Sequence, residues 1–245
     1  MSLADGYRED LAYIHDAGFG GFARGAAPWL LELLRAKSIR HGLVIDLGCG
    51  SGLWAQALVE EGYNVLGYDL SPAMIELARR RVPKGEFRQQ SFLSAELPSC
   101  VAVTAMGEIF NYKFDQRNSA AEMRRMFARV HAALAPGGIF VFDGATPDRA
   151  GKSGQTSGYT QGDDWACLFT ATEDRRQNLL TREITSFRRV GRLFRRDHEV
   201  HRLRLFNRRE LLAQLRTLGF RARTVTGYGV QPFPPGYVGI VARKP

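Results

Sequence analysis

Two kinds of hydrophobic spacing alternate over the first 143 residues. LVIDL (43–47) is a nearly continuous apolar run of strand length, as expected for a strand covered on both faces. Leu53, Trp54, Ala57 and Leu58 then fall on one helical stripe that Gly62 stops. YNVLGYDL (63–70) predicts a second strand ending at Asp69, and Ser71-Pro72 supplies an N-cap followed by proline at the first helical position. That helix runs to the break at Pro83. EFRQQ (86–90) and VAVTAM (101–106) predict the third and fourth strands. Ser119-x-x-Glu122 forms a capping box before Met123, Met126, Phe127, Val130 and Leu134, which share one helical face. APGG (135–138) ends this helix, and IFVFD (139–143) is a fifth strand. Repeated β-α alternation calls for a parallel sheet with right-handed crossovers.

The pattern then changes. GATPDRAGKSGQTSGYTQGDD (144–164) has the polar, glycine-rich composition of an exposed, mobile connection. Beyond it Trp165, Cys167, Phe169 and Ala171 alternate with other residues, as do His201, Leu203 and Leu205. Residues 164–206 therefore predict a meander of about three half-buried antiparallel strands. Asn207-x-x-Glu210 caps a last helix carrying Leu211, Leu212, Leu215 and Leu218, with Gly219 past its end. Strands over 221–227 and 237–243 close the chain, separated by GVQPFPPG. The expected fold is α/β: a mostly parallel seven-stranded sheet with helices on both faces and a small antiparallel β insertion. One domain accounts for 1–245, divided into an N-terminal lid or substrate segment (1–35), a cofactor-binding core (40–145), the inserted meander (145–206) and the C-terminal helix and closing strands (207–245).

Composition supports a globular chain of 245 residues with 44% hydrophobic and 11% aromatic positions. No run of eighteen apolar residues occurs, and MSLADGYRED lacks a signal-peptide pattern, so a cytoplasmic protein without membrane association is expected. Cys49, Cys100 and Cys167 are scattered and read as reduced thiols rather than a disulfide framework or zinc site. The net charge of +9 is local: between Glu173 and Arg223 lie fifteen arginines against six acids. Such a stretch is either a solvated arginine-rich surface or an attraction for nucleic acid or anionic substrates.

The turn between the first strand and helix carries the chemistry. Its glycines are Gly48, Gly50 and Gly52, whereas the dinucleotide fingerprint would put a third glycine where Leu53 stands. Asp69 follows Gly50 by nineteen residues, the spacing at which an acid on the second strand meets ribose hydroxyls. With Asp46-Leu47-Gly48-Cys49-Gly50-Ser51-Gly52, then Tyr68-Asp69-Leu70-Ser71-Pro72-Ala73-Met74-Ile75 and later Leu134-Ala135-Pro136-Gly137-Gly138, the chain over about 40–145 resembles the class I S-adenosylmethionine-dependent methyltransferases. The resemblance implies their Rossmann-like fold, S-adenosyl-L-methionine as cofactor and S-adenosyl-L-homocysteine as product. It implies that backbone at Gly48, Cys49, Gly50 and Gly52 packs on the methionine moiety, that Asp46 orients this loop, and that Asp69 grips the ribose. Leu70 and Met74 would flank adenine, and Ser91 and Phe92 would stand at its edge, where Gln90-Ser91-Phe92 departs from the family's common Asp. Met106 and Gly107 would lie beside the methionine ammonium.

A sulfonium is an activated leaving group, so such a protein mainly aligns an acceptor and excludes water, a proximity effect worth up to ~7–11 kcal/mol. At the end of the fourth strand, in Gly107-Glu108-Ile109-Phe110-Asn111-Tyr112, Glu108 is the first candidate for a base or acceptor-orienting group and Tyr112 the second. GEIFNY is not the Asn/Asp-Pro-Pro-aromatic motif of adenine methyltransferases of DNA, and no Pro-Cys dipeptide follows. His15, Phe19 and Phe22 are lid candidates. His198 and His201, three apart on a strand, point to opposite faces and make no metal site. The expected function is methyl transfer to a small molecule. Two alternatives are an RNA methyltransferase using the arginines of 175–223 and a non-catalytic protein that binds the cofactor.

Overall fold

The computed structural model describes residues 6–245. β1 (Leu43–Leu47), β2 (Asn64–Asp69), β3 (Glu86–Gln89), β4 (Cys100–Ala105) and β5 (Leu134–Ala145) are joined, near the chain's close, by β10 (Arg221–Val225) and β13 (Tyr237–Arg243). They form one seven-stranded sheet in the order β10-β13-β5-β4-β1-β2-β3. Neighbours among β1 to β5 pair in parallel, and β13 alone runs against the rest, antiparallel to both β5 and β10. The chain thus has the mostly parallel α/β fold expected.

Helices cover both faces. On one, α2 (Gly21–Ala36), α3 (Leu53–Glu60) and α4 (Pro72–Arg81) bury Leu30, Trp54, Leu58 and Ile75 against Val44, Val65 and Val141. On the other, α5 (Ala120–Ala133) and α6 (Arg208–Thr217) bury Met126, Phe127 and Leu215 against Ile45, Val103 and Phe140. The caps read from sequence form: Ser71 accepts from the Met74 amide, Ser119 from Glu122, and Asn207 from Arg209 and Glu210. These helices are therefore fixed at their starts, where the loops at the carboxyl edge of the sheet arrive.

The antiparallel insertion has four strands rather than about three: β6 (Gln155–Gln161), β7 (Trp165–Asp174), β8 (Leu179–Val190) and β9 (Leu193–Arg204). β6 arises within the segment expected to be a mobile connection. Its polar side chains hide a strand because the ladder comes from backbone pairing with β7, from Gln155 opposite Thr172 to Gln161 opposite Ala166. β5 likewise starts earlier than expected. Residues 135–138 lie within the strand as the irregularity between the Cys100–Leu134 and Ala102–Ile139 pairs with β4. The N-terminal segment is α1 (Glu9–Ile14), a π-helical turn (His15–Phe19) and α2, with α1 set between α4 on one side and β7 and β8 on the other. A two-residue ladder of β11 (Gly227–Tyr228) and β12 (Gln231–Pro232) packs beside α2. No helix among the described residues is long and apolar enough to cross a membrane.

Candidate functional site

The glycine turn is held from beneath by β2. Gly48 and Cys49 amides donate to the Tyr68 carbonyl at 2.7 and 2.9 Å, and the Gly50 amide donates to Asp69 Oδ2 at 2.9 Å. The other Asp69 oxygen accepts from the Ser71 amide at 2.9 Å. Gly48 adopts φ +69°, and a Cβ there would meet Ile109 at 2.4 Å. Gly50 adopts φ +53°, and a Cβ there would enter open space. The turn needs glycine for its backbone at both positions, but only Gly50 leaves room for a ligand to approach the chain. Desolvation raises the Asp69 carboxyl above its ordinary value, against the amides of Ser71 and Gly50 that lower it.

Asp46 is buried below the turn. Its Oδ1 accepts from Thr104 Oγ1 at 2.7 Å, and Thr104 in turn accepts from Trp54 Nε1 at 3.1 Å. Burial raises this carboxyl to about 7 despite the Thr104 bond. The relay ties β1, β4 and α3 into one rigid base.

A cavity of about 1110 Å³, mouth included, opens above these residues. Its walls include Asp46, Gly48, Cys49, Gly50, Asp69, Leu70, Met74, Phe92, Met106, Gly107 and Tyr112, all named from the sequence. Gly52, Ser91 and Glu108 are not on its walls. Gly52 packs on Ala78 of α4, and Ser91 Oγ donates to Asp115 Oδ2 at 2.6 Å, so Asp115, not Ser91, presents the polar group to the cavity. Burial works to raise the Asp115 carboxyl, but Arg117 and Ser91 hold it below its ordinary value.

Glu108 is placed as an ion-pair hub. Its oxygens accept from Arg149 Nε at 2.5 Å and Arg182 Nη2 at 3.1 Å, and it is 4% exposed. Burial opposes ionisation, yet Arg182 and Arg149 hold the carboxyl below its ordinary value. A carboxylate so stabilised has little drive to take a proton, which speaks against the base role considered from sequence. Tyr112, in contrast, reaches the cavity and shares a 2.9 Å hydrogen bond with the Tyr7 hydroxyl, while Arg182 Nη1 donates to it at 3.4 Å. Burial raises both phenols.

Asp143, near the end of β5, is a buried anchor beside the cavity that the sequence did not single out. It is fully buried and accepts from the Gly107 and Glu108 amides and from the hydroxyls of Tyr228 at 2.9 Å and Tyr237 at 2.5 Å. Burial pushes its carboxyl to about 6 against these donors. Through it the positive-φ pair Gly107 (+92°) and Glu108 (+62°) is held in place, with Gly107 on the cavity wall and Glu108 behind it.

The N-terminal segment forms the roof. His15 and Phe19 rings stack at 6.0 Å, Tyr7 meets His15 edge-on at 5.1 Å, and these three with Phe22 line the cavity. Burial lowers the His15 imidazole to about 4, so it is neutral at pH 7. Asp16 accepts from Ser51 Oγ at 2.5 Å and Arg81 Nη2 at 2.8 Å, fastening the roof to the glycine turn. Tyr7 fastens it twice more. Its carbonyl accepts from Ser71 Oγ at 2.6 Å and its amide donates to Glu199 Oε2 at 2.7 Å. Glu199 also takes the Arg8 amide and His201 Nε2, each at 2.8 Å. His198 is exposed and His201 buried, on opposite faces of β9 as their spacing required. Arg188 and Arg195 pair with buried Asp10 of α1, and the Arg188 guanidinium lies 3.9 Å from the Tyr13 ring centroid.

Residues 44–138 match the protein family described as "Methyltransferase domain". Glycine N-methyltransferase of Rattus norvegicus is 31% identical over 131 residues, 47% of this chain and 43% of that protein. The 18S rRNA (guanine(1575)-N(7))-methyltransferase of Saccharomyces cerevisiae is 30% identical over 118 residues, 45% of this chain and 42% of its own length. The chain thus spans less than half the length of either curated relative. In overall fold it is similar to S-adenosylmethionine-bound CalS10, an amino pentose methyltransferase from Micromonospora echinaspora, with TM-score 0.76, 23% identity, and 95% and 97% of the two chains covered.

Proposed function

We propose, from the match of residues 44–138 to the methyltransferase-domain family, that the chain is a class I S-adenosylmethionine-dependent methyltransferase that binds S-adenosylmethionine above the glycine turn and methylates a small-molecule acceptor under the N-terminal roof. The residues present suit the cofactor. Open space beside Gly50 admits a ligand to the backbone, and Asp69 keeps acceptor capacity for ribose hydroxyls after its two amide bonds. Leu70 and Met74 offer apolar contact to a purine, and Phe92, Gln90 and Asp115 bound the same end of the cavity. When bound, the cofactor supplies a methyl group on an already activated sulfonium.

The chain's own part is alignment and exclusion of water. Asp46, Thr104 and Trp54 keep the base rigid, and Asp143 fixes Met106-Gly107-Glu108 from below. Tyr7 and Tyr112 stay protonated at neutral pH, so their paired hydroxyls can orient an acceptor's lone pair without carrying charge. Glu108 acts through Arg182 on Tyr112. Neutral His15 can accept a hydrogen bond from the acceptor on the roof side.

The observation that carries the small-molecule reading is the roof itself. Aromatic rings from Tyr7, His15, Phe19 and Phe22 enclose the cavity from above, which suits an acceptor that fits inside. Part of the arginine-rich stretch supports the same reading, because Arg182, Arg188 and Arg195 turn inward to the carboxylates of Glu108 and Asp10. Incubation with methyl-labelled S-adenosylmethionine and either a metabolite extract or total RNA tests it. Label is expected in the small-molecule fraction. Label in RNA favours the nucleic-acid alternative, and tight binding without transfer to either favours a non-catalytic binder.

A further inference from the structure

A second groove, of about 1480 Å³ with its mouth, lies between α5, α6 and the turn joining β7 to β8, and shares no wall residue with the cofactor cavity. Its floor is apolar, with Met123 and Leu211 buried and Phe206 half-buried. Its sides carry Arg204, Arg208 and Arg209 against one acid, Glu210. Among the described residues no carboxylate forms an ion pair with any of these arginines, whereas Arg182, Arg188 and Arg195 elsewhere in the same stretch all have acidic partners.

Arg204 is the informative member. Its guanidinium donates to the Asn118 carbonyl at 3.3 Å and to Asn118 Oδ1 at 3.1 Å, and its Nε is buried with no hydrogen-bond partner among the described residues. The Phe206 ring centroid lies 5.4 Å from its carbon. Asn118 is itself buried and anchored to the carbonyls of Phe110 and Tyr112 at 3.0 and 2.7 Å, so the guanidinium is held in place at the groove wall. A half-buried cation without a counter-charge is costly unless an anion supplies one. The amides at the start of α6 do not explain the charge, because Asn207 already accepts from Arg209 and Glu210.

We propose that this groove is a second ligand site, for a small molecule carrying a phosphate or carboxylate on an apolar body: Arg204, Arg208 and Arg209 take the anion, and the Met123-Phe206-Leu211 floor takes the body. An arginine fork matches such oxyanions bidentately, and the floor gives selectivity that charge alone lacks.

Isothermal titration of the full chain with phenyl phosphate, inorganic phosphate and phenol tests this. Phenyl phosphate is expected to bind at one site, at least tenfold more tightly than either fragment. The exposed pair Arg208→Ala/Arg209→Ala, checked by an unchanged Tm, should weaken it at least tenfold, while Arg192→Ala/Arg221→Ala, which removes the same charge elsewhere, should not. Absence of saturation, equal affinity for phenol, or binding untouched by the Arg208/Arg209 pair overturns the proposal. So does an RNA oligonucleotide that binds more tightly than phenyl phosphate with the same dependence on Arg208 and Arg209, since the occupant would then be a polynucleotide.

Discussion

The Gly50 amide donates to Asp69 Oδ2 across nineteen residues of sequence, so one carboxylate closes the glycine turn and faces the cavity at once. The turn's shape and the ligand-facing charge are therefore one device. Ser71, two residues on, takes the second Asp69 oxygen with its amide and the Tyr7 carbonyl with its hydroxyl. Roof, turn and second strand meet within four residues.

Asp69→Ala should consequently do more than remove a ribose contact. It leaves the Gly50 and Ser71 amides without their acceptor, a loss of about 1–3 kcal/mol for each group that stays buried. Calorimetric titration with S-adenosylhomocysteine is expected to show at least a hundredfold loss of affinity, with a lower Tm. Asp69→Asn, which keeps one oxygen, should recover part of the Tm but little of the affinity. Affinity unchanged in both would remove Asp69 from the cofactor site.

The roof is latched electrostatically, and that latch should be separable from the fold. Asp10 is buried and paired with Arg188 at 3.2 Å and Arg195 at 2.5 Å. Asp10→Ala is expected to speed amide exchange over residues 9–20 at least tenfold while β1 to β5 keep wild-type protection. Added salt should speed the same segment in the wild type and have little effect in the variant. Uniform acceleration through the central sheet would mean that the segment is part of the global fold instead.

Much of this was legible beforehand because it is periodic or local. Strand runs such as LVIDL, the caps at Ser71, Ser119 and Asn207, and the Gly50 to Asp69 spacing each follow from rules spanning at most twenty residues. The parts that escaped are long-range. Nothing near Asp143 signals that it gathers amides from 107–108 and hydroxyls from Tyr228 and Tyr237. Glu108 looks like a free acid in GEIFNY until Arg149 and Arg182 arrive from another part of the chain. β6 was missed for a different reason: QTSGYTQ has no apolar alternation because both faces of an edge strand there are largely exposed.

Asp143 gives a pH prediction of definite sign. Its carboxyl is raised by burial from the ordinary 3.8 to about 6. The folded state therefore holds this proton more tightly than the unfolded state, and the resulting stabilisation is full below pH 4 and lost as pH rises through about 6. In urea unfolding at pH 4, 5, 6 and 7, the stability gap between wild type and Asp143→Asn should narrow with rising pH across this window. A gap that widens would mean that the carboxyl is ionised more readily in the fold than out of it.

Glu108 and Tyr112 separate by what each loses. Glu108→Gln strips the full negative charge from Arg149 and Arg182, whose side chains are only 24% and 16% exposed. Breaking a buried pair from one side costs about 3–5 kcal/mol at full burial, and solvent access here reduces that toward the lower end. The variant should melt lower and lose kcat and cofactor affinity together, because the floor that carries Met106 and Gly107 loosens. Tyr112→Phe removes one hydroxyl whose hydrogen-bond partners among the described residues are Tyr7 and Arg182. It should keep S-adenosylhomocysteine affinity within about threefold and lower kcat by about ten- to a hundredfold, an effect of about 1.4–2.7 kcal/mol on the barrier. If instead Glu108→Gln folds with wild-type Tm and loses only kcat, the carboxylate takes part in the chemistry directly and the hub assignment fails.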